Sequence, residues 1–168
     1  MTRFPVPGDG AAAVAVPAPG SGAGSWAGAP SASLDGERGI VLAYRLRTPG
    51  ERGSFVVVAR SDDGERLETV AVLEKEAFGA ESLERPALLA ADGRWRLYVS
   101  CATSRSKHWR IDLLEAATPE ELARAEPRTV LPGDRDTAVK DPVIRRARDG
   151  WLGWICCHPL DTRARRTG

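Results

Sequence analysis

An acidic and a basic residue stand side by side just ahead of a proline in both Glu84-Arg85-Pro86 and Lys140-Asp141-Pro142. Two carboxyl groups held in different surroundings can divide acid and base work. One stays protonated to help a leaving group depart and the other stays ionised as base or nucleophile, which is what cleavage of a glycosidic bond requires. Glu84 and Asp141 are therefore the catalytic candidates. Arg85, Lys107, His108, Lys140 and His158 could hydrogen-bond sugar hydroxyls, and the indoles of Trp109 and Trp26 could stack on an apolar sugar face.

Other chemistries lack their residues. The cysteines, Cys101 and the adjacent Cys156 and Cys157, are odd in number and have no zinc-ligand or disulfide spacing. Neighbouring side chains on a strand point to opposite faces, so Cys156 and Cys157 could hardly share one metal ion. They read as small apolar fillers on a buried strand of a reduced, cytoplasmic protein. No metal, no cofactor and no Ser-His-Asp order is expected.

The elements that must position these groups are strands. Ile40 to Arg47, Ser54 to Arg60, Leu67 to Leu73, Trp95 to Ser100, Trp109 to Leu114 and Trp151 to Cys157 are short runs rich in β-branched or aromatic residues, separated by turn residues. A helical period shows at Pro119 to Ala125, for one or two turns at most. The fold class is all-β.

Laid against itself, the chain aligns Ala29-Pro30, Arg85-Pro86 and Asp141-Pro142 at two successive steps of 56 residues. Each proline opens a strand that ends near Asp35-Gly36, Asp92-Gly93 or Asp149-Gly150, the dipeptide suited to tight two-residue hairpins with positive φ. Third and fourth strands follow, the fourth near Leu67 to Leu73 and Arg128 to Leu131. Four antiparallel strands in roughly 40 to 60 residues is the anatomy of a β-propeller blade. A β-sandwich with evenly spaced strands is the competing architecture. The blades expected are 26–78, 79–133 and the first half of a third at 134–160. They follow a Pro-, Ala- and Gly-rich segment at 1–25 and precede a basic tail at 161–168. About two and a half four-stranded blades make an incomplete ring, since closure normally takes at least four. Unpaired blade edges would then favour self-association.

Blades opened by Xaa-Pro, the Ala59-Arg60-Ser61-Asp62-Asp63-Gly64 turn after the third strand, and Lys140-Asp141-Pro142-Val143-Ile144 at the third blade resemble the five-bladed β-propeller glycosidases. Glycoside hydrolase family 43 belongs to that group. The resemblance covers most of Trp26 to Leu160 and implies an N-terminal fragment of a glycosidase that binds carbohydrate. It also implies that Asp141 matches the third-blade Asp that orients substrate and tunes the acid. The first-blade base or nucleophile would fall at Ala29, which has no carboxyl group, and the general acid would come from a fourth blade. These departures leave glycoside hydrolysis, impaired by truncation, beside a noncatalytic carbohydrate- or protein-binding propeller.

Within the propeller frame, the loop leading into each first strand and the loop joining the second and third strands open on one face. Glu84, Arg85, Lys140 and Asp141 gather there with Lys107, His108, Trp109 and His158. A plainer reading stands beside this one, in which Glu84-Arg85 and Lys140-Asp141 are inter-blade ion pairs. Trp95, Trp151 and Trp154 are expected to pack between blades. The net charge of +1 implies no nucleic acid or anionic membrane partner, and no apolar run is long enough to span a bilayer. Prolines around the apolar Ala11 to Val16 argue against a signal peptide.

Overall fold

The computed structural model describes residues 13–36, 39–104, 106 and 108–160. They form three antiparallel sheets in chain order. The first comprises β1 (Trp26–Leu34), β2 (Ile40–Thr48), β3 (Glu51–Ser61) and β4 (Glu68–Glu74). The second comprises β5 (Ser82–Ala91), β6 (Arg94–Ala102), β7 (Trp109–Ala116) and β8 (Arg128–Leu131). The third is the hairpin β9 (Thr137–Ala147) and β10 (Gly150–Pro159). Single 3-10 turns at Lys75–Phe78 and Glu120–Arg124 carry the chain past the outer strands.

Alternation explains why these segments are strands. In β6, Trp95, Leu97, Val99 and Cys101 all point into the main core, as a period of two requires of a strand with one buried face. In β3, Val56 and Val58 enter that core. Val57 and Ala59 face the other way, against Tyr44 and the partly buried Val16. The main core lies between the first and second sheets and includes the buried Leu83, Leu97, Leu114 and Leu122.

The three first strands lie side by side, β1 against β5 and β5 against β9. The Ser31 and Ser33 hydroxyls accept hydrogen bonds from the Leu88 and Ala90 N–H groups at 2.9 and 3.1 Å. Side chains of one sheet thus satisfy the exposed inner edge of the next, where backbone groups would otherwise be unpaired. The sheets fan outward from these inner strands as propeller blades, so the face-to-face sandwich is not the architecture.

Three local expectations change. At the three Asp-Gly positions, a two-residue Asp-Gly hairpin forms once, at Asp92-Gly93, where both φ are positive and Ala91 pairs with Arg94. The first connection runs from Leu34 to Ile40, and the third turns on Arg148-Asp149 with Gly150 already paired to Ala147. Cys156 and Cys157 are exposed rather than buried, because β10 pairs with β9 alone. Trp154 is likewise 56% exposed. Trp151, at 42%, still meets Arg96 of the second sheet, whose guanidinium stands 5.0 Å from its ring centre. Trp95 packs in the core as expected. Residues 13–18, in the Pro-, Ala- and Gly-rich segment, form no strand, and residues 1–12 and the 161–168 tail lie outside the described residues.

Candidate functional site

A regular strand would send Glu84 and Asp141 to opposite faces, since they stand at different offsets from their prolines. The register breaks at these points. Glu84 pairs with Ser100 and Pro86 with Val99, a bulge at Arg85, and the β9–β10 ladder shifts between Lys140 and Val143. The β1–β2 ladder shifts too, between Gly28 and Ser31. One repeated irregularity ahead of each proline therefore re-aims the residues at the head of every first strand, as bulges do near functional sites.

Asp141 and Ala29, the equivalent residues of the third and first sheets, have φ of 54° and 53°. Left-handed backbone at a residue other than glycine costs of order 1–3 kcal/mol and persists where the surroundings enforce it. For Asp141 one enforcing contact is visible. The fully buried Ser100 hydroxyl accepts its N–H at 2.8 Å and donates to the Arg85 carbonyl at 3.4 Å, clamping the bulges of two neighbouring blades.

The bulges bring charges of three sheets into one line. Glu84 accepts an ion pair from Arg45 of β2 at 3.2 Å and from Lys140 of β9 at 3.3 Å, and Lys140 also stands 3.5 Å from Asp141. Arg45 is buried, with its guanidinium 4.5 Å from the centre of the Trp26 ring, and its Nε has no partner. The Lys140 ammonium lies 5.5 Å from the Trp109 ring centre. Burial works against the Lys140 charge. The carboxylates of Glu84 and Asp141 outweigh it and hold the lysine pKa above its ordinary value.

Beside this line opens a cavity of about 590 Å³, lined by Glu84, Lys140, Trp109 and His158 among others. Its size falls in the range of small-molecule sites, roughly 300–1,000 Å³. Of the residues singled out in the sequence, these four line it, and Asp141 is reached through Lys140. His108 is turned aside, its Nε2 against the Asp134 carbonyl. Trp26 sits under Arg45, Arg85 is exposed away from the lining, and Lys107 lies outside the described residues. Ser100 had been missed. The signal for it was its place in the strand facing the Glu84-Arg85-Pro86 bulge, which becomes readable once the register is known. Glu51, Lys75 and Ser106 also line the cavity without having been singled out. Among the described residues no cluster of His, Cys, Asp and Glu is arranged to hold a metal ion, and no helix is long and apolar enough to cross a membrane.

No family model matches the chain, and no curated protein matches it in sequence. Solved structures do. A family 43, subfamily 1 glycoside hydrolase from Xanthomonas citri, complexed with xylose, superposes with a TM-score of 0.60 at 18% identity, over 77% of this chain and 39% of that one. The RS223 β-xylosidase gives 0.61 at 16%, over 76% and 43%. The native arabinanase Arb43A of Bacillus subtilis gives 0.54 at 15%, over 80% and 52%. The chain has the propeller fold of glycoside hydrolase family 43 enzymes, across a span of about two-fifths to half of their length.

Proposed function

We propose that the mouth at the head of β5 and β9 binds glycosides within a five-bladed propeller, and that hydrolysis there would run through Asp141 and Glu84. The observation that carries this reading is the convergence of both carboxylates, from neighbouring first strands, on one lysine beside a cavity with an indole wall. In such a mouth Lys140 and Glu84 would hydrogen-bond hydroxyls, Trp109 would offer its ring to the apolar face of a sugar, and His158 would close the rim. Arg85, His108 and Trp26, which lie outside the cavity lining, and Lys107, which lies outside the described residues, complete the proposed binding set. The similar enzymes include a xylosidase and an arabinanase, so pentosides are the first ligands to try.

A second reading, binding without turnover, is favoured by Ala29. Its backbone repeats that of Asp141, yet it carries a methyl group where the resemblance calls for base or nucleophile. The general acid of such enzymes would come from a fourth first strand, and the described residues hold three. Free thiols at Cys101, Cys156 and Cys157 fit a reducing compartment, and we place the protein in the cytoplasm.

Calorimetric titration with xylo- and arabino-oligosaccharides, together with a panel of aryl xylosides and arabinosides, tests both readings. Turnover that Asp141→Asn abolishes supports hydrolysis. Saturable binding without turnover, weakened by Trp109→Ala, supports the binding module. Neither binding nor turnover across the panel would remove the glycoside proposal.

A further inference from the structure

Arg45 lies in the middle of β2, directly across from Gly28, and is 6% exposed. A guanidinium so buried is costly to desolvate, and replacing a buried ion pair by apolar side chains of similar volume is often neutral or stabilising. The Arg45 Nε adds to the cost, since among the described residues it has no hydrogen-bond partner. Stability is therefore a poor reason for a cation here. What Arg45 does reach is the mouth. Its Nη1 stands 3.2 Å from Oε1 of Glu84, which lines the cavity, while Lys140 Nζ stands 3.3 Å from Oε2 of the same carboxylate. Arg45 itself is not part of the lining.

We propose that Arg45 is a positioning residue for the glycoside site, acting through Glu84 and held in place by Trp26. The inference rests on the glycoside reading of the mouth and deepens it. A single ion pair would leave the Glu84 carboxylate free to swing about that one contact. Two cations from different sheets, each on its own oxygen, fix the carboxylate plane. Each carboxylate oxygen carries two lone-pair sites, so those not taken by Arg45 and Lys140 remain for a sugar hydroxyl. The planar guanidinium suits the task, because it stacks 4.5 Å from the centre of the Trp26 ring and cannot wander as a flexible ammonium would. Gly28 leaves room for that ring, a Cβ there lying 3.1 Å from it. Trp26, although outside the lining, thus serves the site through the cation it supports.

Calorimetric titration of the whole chain with xylotriose and arabinotriose, run as a double-mutant cycle, tests this role. Arg45→Met should weaken wild-type affinity about tenfold, the scale of one charge-assisted hydrogen bond. In a Glu84→Gln background, itself a weaker binder, the same substitution should change affinity by less than about twofold. A side chain that only supports the fold would weaken binding equally in both backgrounds, and that additivity would overturn the proposal, as would an Arg45→Met protein with wild-type affinity. Arg45→Lys should recover part of the loss. Full recovery would show that charge alone matters and would overturn the positioning role. If a methionine variant loses its circular dichroism spectrum, the same cycle with Arg45→Lys decides on the same criterion of additivity. A wild type that binds neither probe removes the glycoside reading and this inference together, whereas a wild type that binds while the cycle is additive removes this inference alone.

Discussion

Glu84 and Lys140 hold the same position in neighbouring first strands, 56 residues apart, and their side chains meet at 3.3 Å. The third equivalent residue is Gly28, where a Cβ would come within 3.1 Å of the Trp26 ring. Its bare backbone lets that indole lie flat beneath Arg45, which is how the guanidinium comes to face Glu84. The repeat thus uses one position three ways: to admit an aromatic support, to place an anion, and to place the cation that answers it.

Lys140→Met should cost about 1–2 kcal/mol of unfolding free energy, between the values for exposed and fully buried pairs, because Glu84 and Asp141 lose their shared cation. Urea denaturation measures it, and an unchanged midpoint would mean that the pair is no more than a solvated contact. The pH dependence has a definite sign. With its folded pKa raised, Lys140 contributes stability that is complete below the unfolded value near 10.4 and disappears as pH climbs through the folded one. The variant should therefore show a shallower alkaline loss than the wild type and no difference in slope near neutrality.

Ser100→Ala tests the clamp on the bulges. Removing a fully buried hydroxyl leaves the Asp141 N–H without its acceptor, which predicts a loss of about 1–3 kcal/mol. If the clamp orients Asp141, affinity for any bound pentoside should fall as well. Destabilisation with unaltered affinity would assign Ser100 to the fold alone.

The strand pattern was legible because each blade alternates apolar and polar residues over a stretch too short for any other reading, as in Trp95, Leu97, Val99 and Cys101. The short turn near Pro119 was legible from its helical period, and the fourth strand at Arg128 from its place in the repeat. Sheet-to-sheet relations were less so. Whether Trp154 and Cys157 are buried depends on what lies beside β10, and nothing in the strand's own sequence encodes that. The convergence of Glu84 and Asp141 needed an irregularity that their offsets from proline demanded, yet its partner, Ser100, sits on another strand. Such a contact is set by register, and register is fixed by packing across the whole hairpin.

Thiol chemistry separates the two environments of cysteine. Cys101 is buried, and that burial pushes its thiol pKa far up, so its reactive thiolate is suppressed. Cys156 and Cys157 are exposed. A water-soluble disulfide reagent should label these two in the native protein within minutes and reach Cys101 only after unfolding. Immediate reaction of all three would show that the core between the first two sheets opens readily.

Ala29→Asp asks how much of the glycosidase plan this mouth retains. The backbone there is left-handed, with φ of 53°, a conformation that penalises alanine by roughly 1–2 kcal/mol and that aspartate enters several-fold more often. The substitution should be tolerated, with a melting temperature equal to or above that of the wild type. It would supply a carboxyl group at the first-blade position equivalent to Asp141, across the inner strands from Glu84. With the aryl pentoside panel as readout, turnover should rise above the wild-type level while Ala29→Asn, matched in size but unable to act as a base, should not raise it. A stable Ala29→Asp protein that binds sugar yet gains no turnover would show that the missing carboxylate is not what limits the site, and the binding-module reading would then stand.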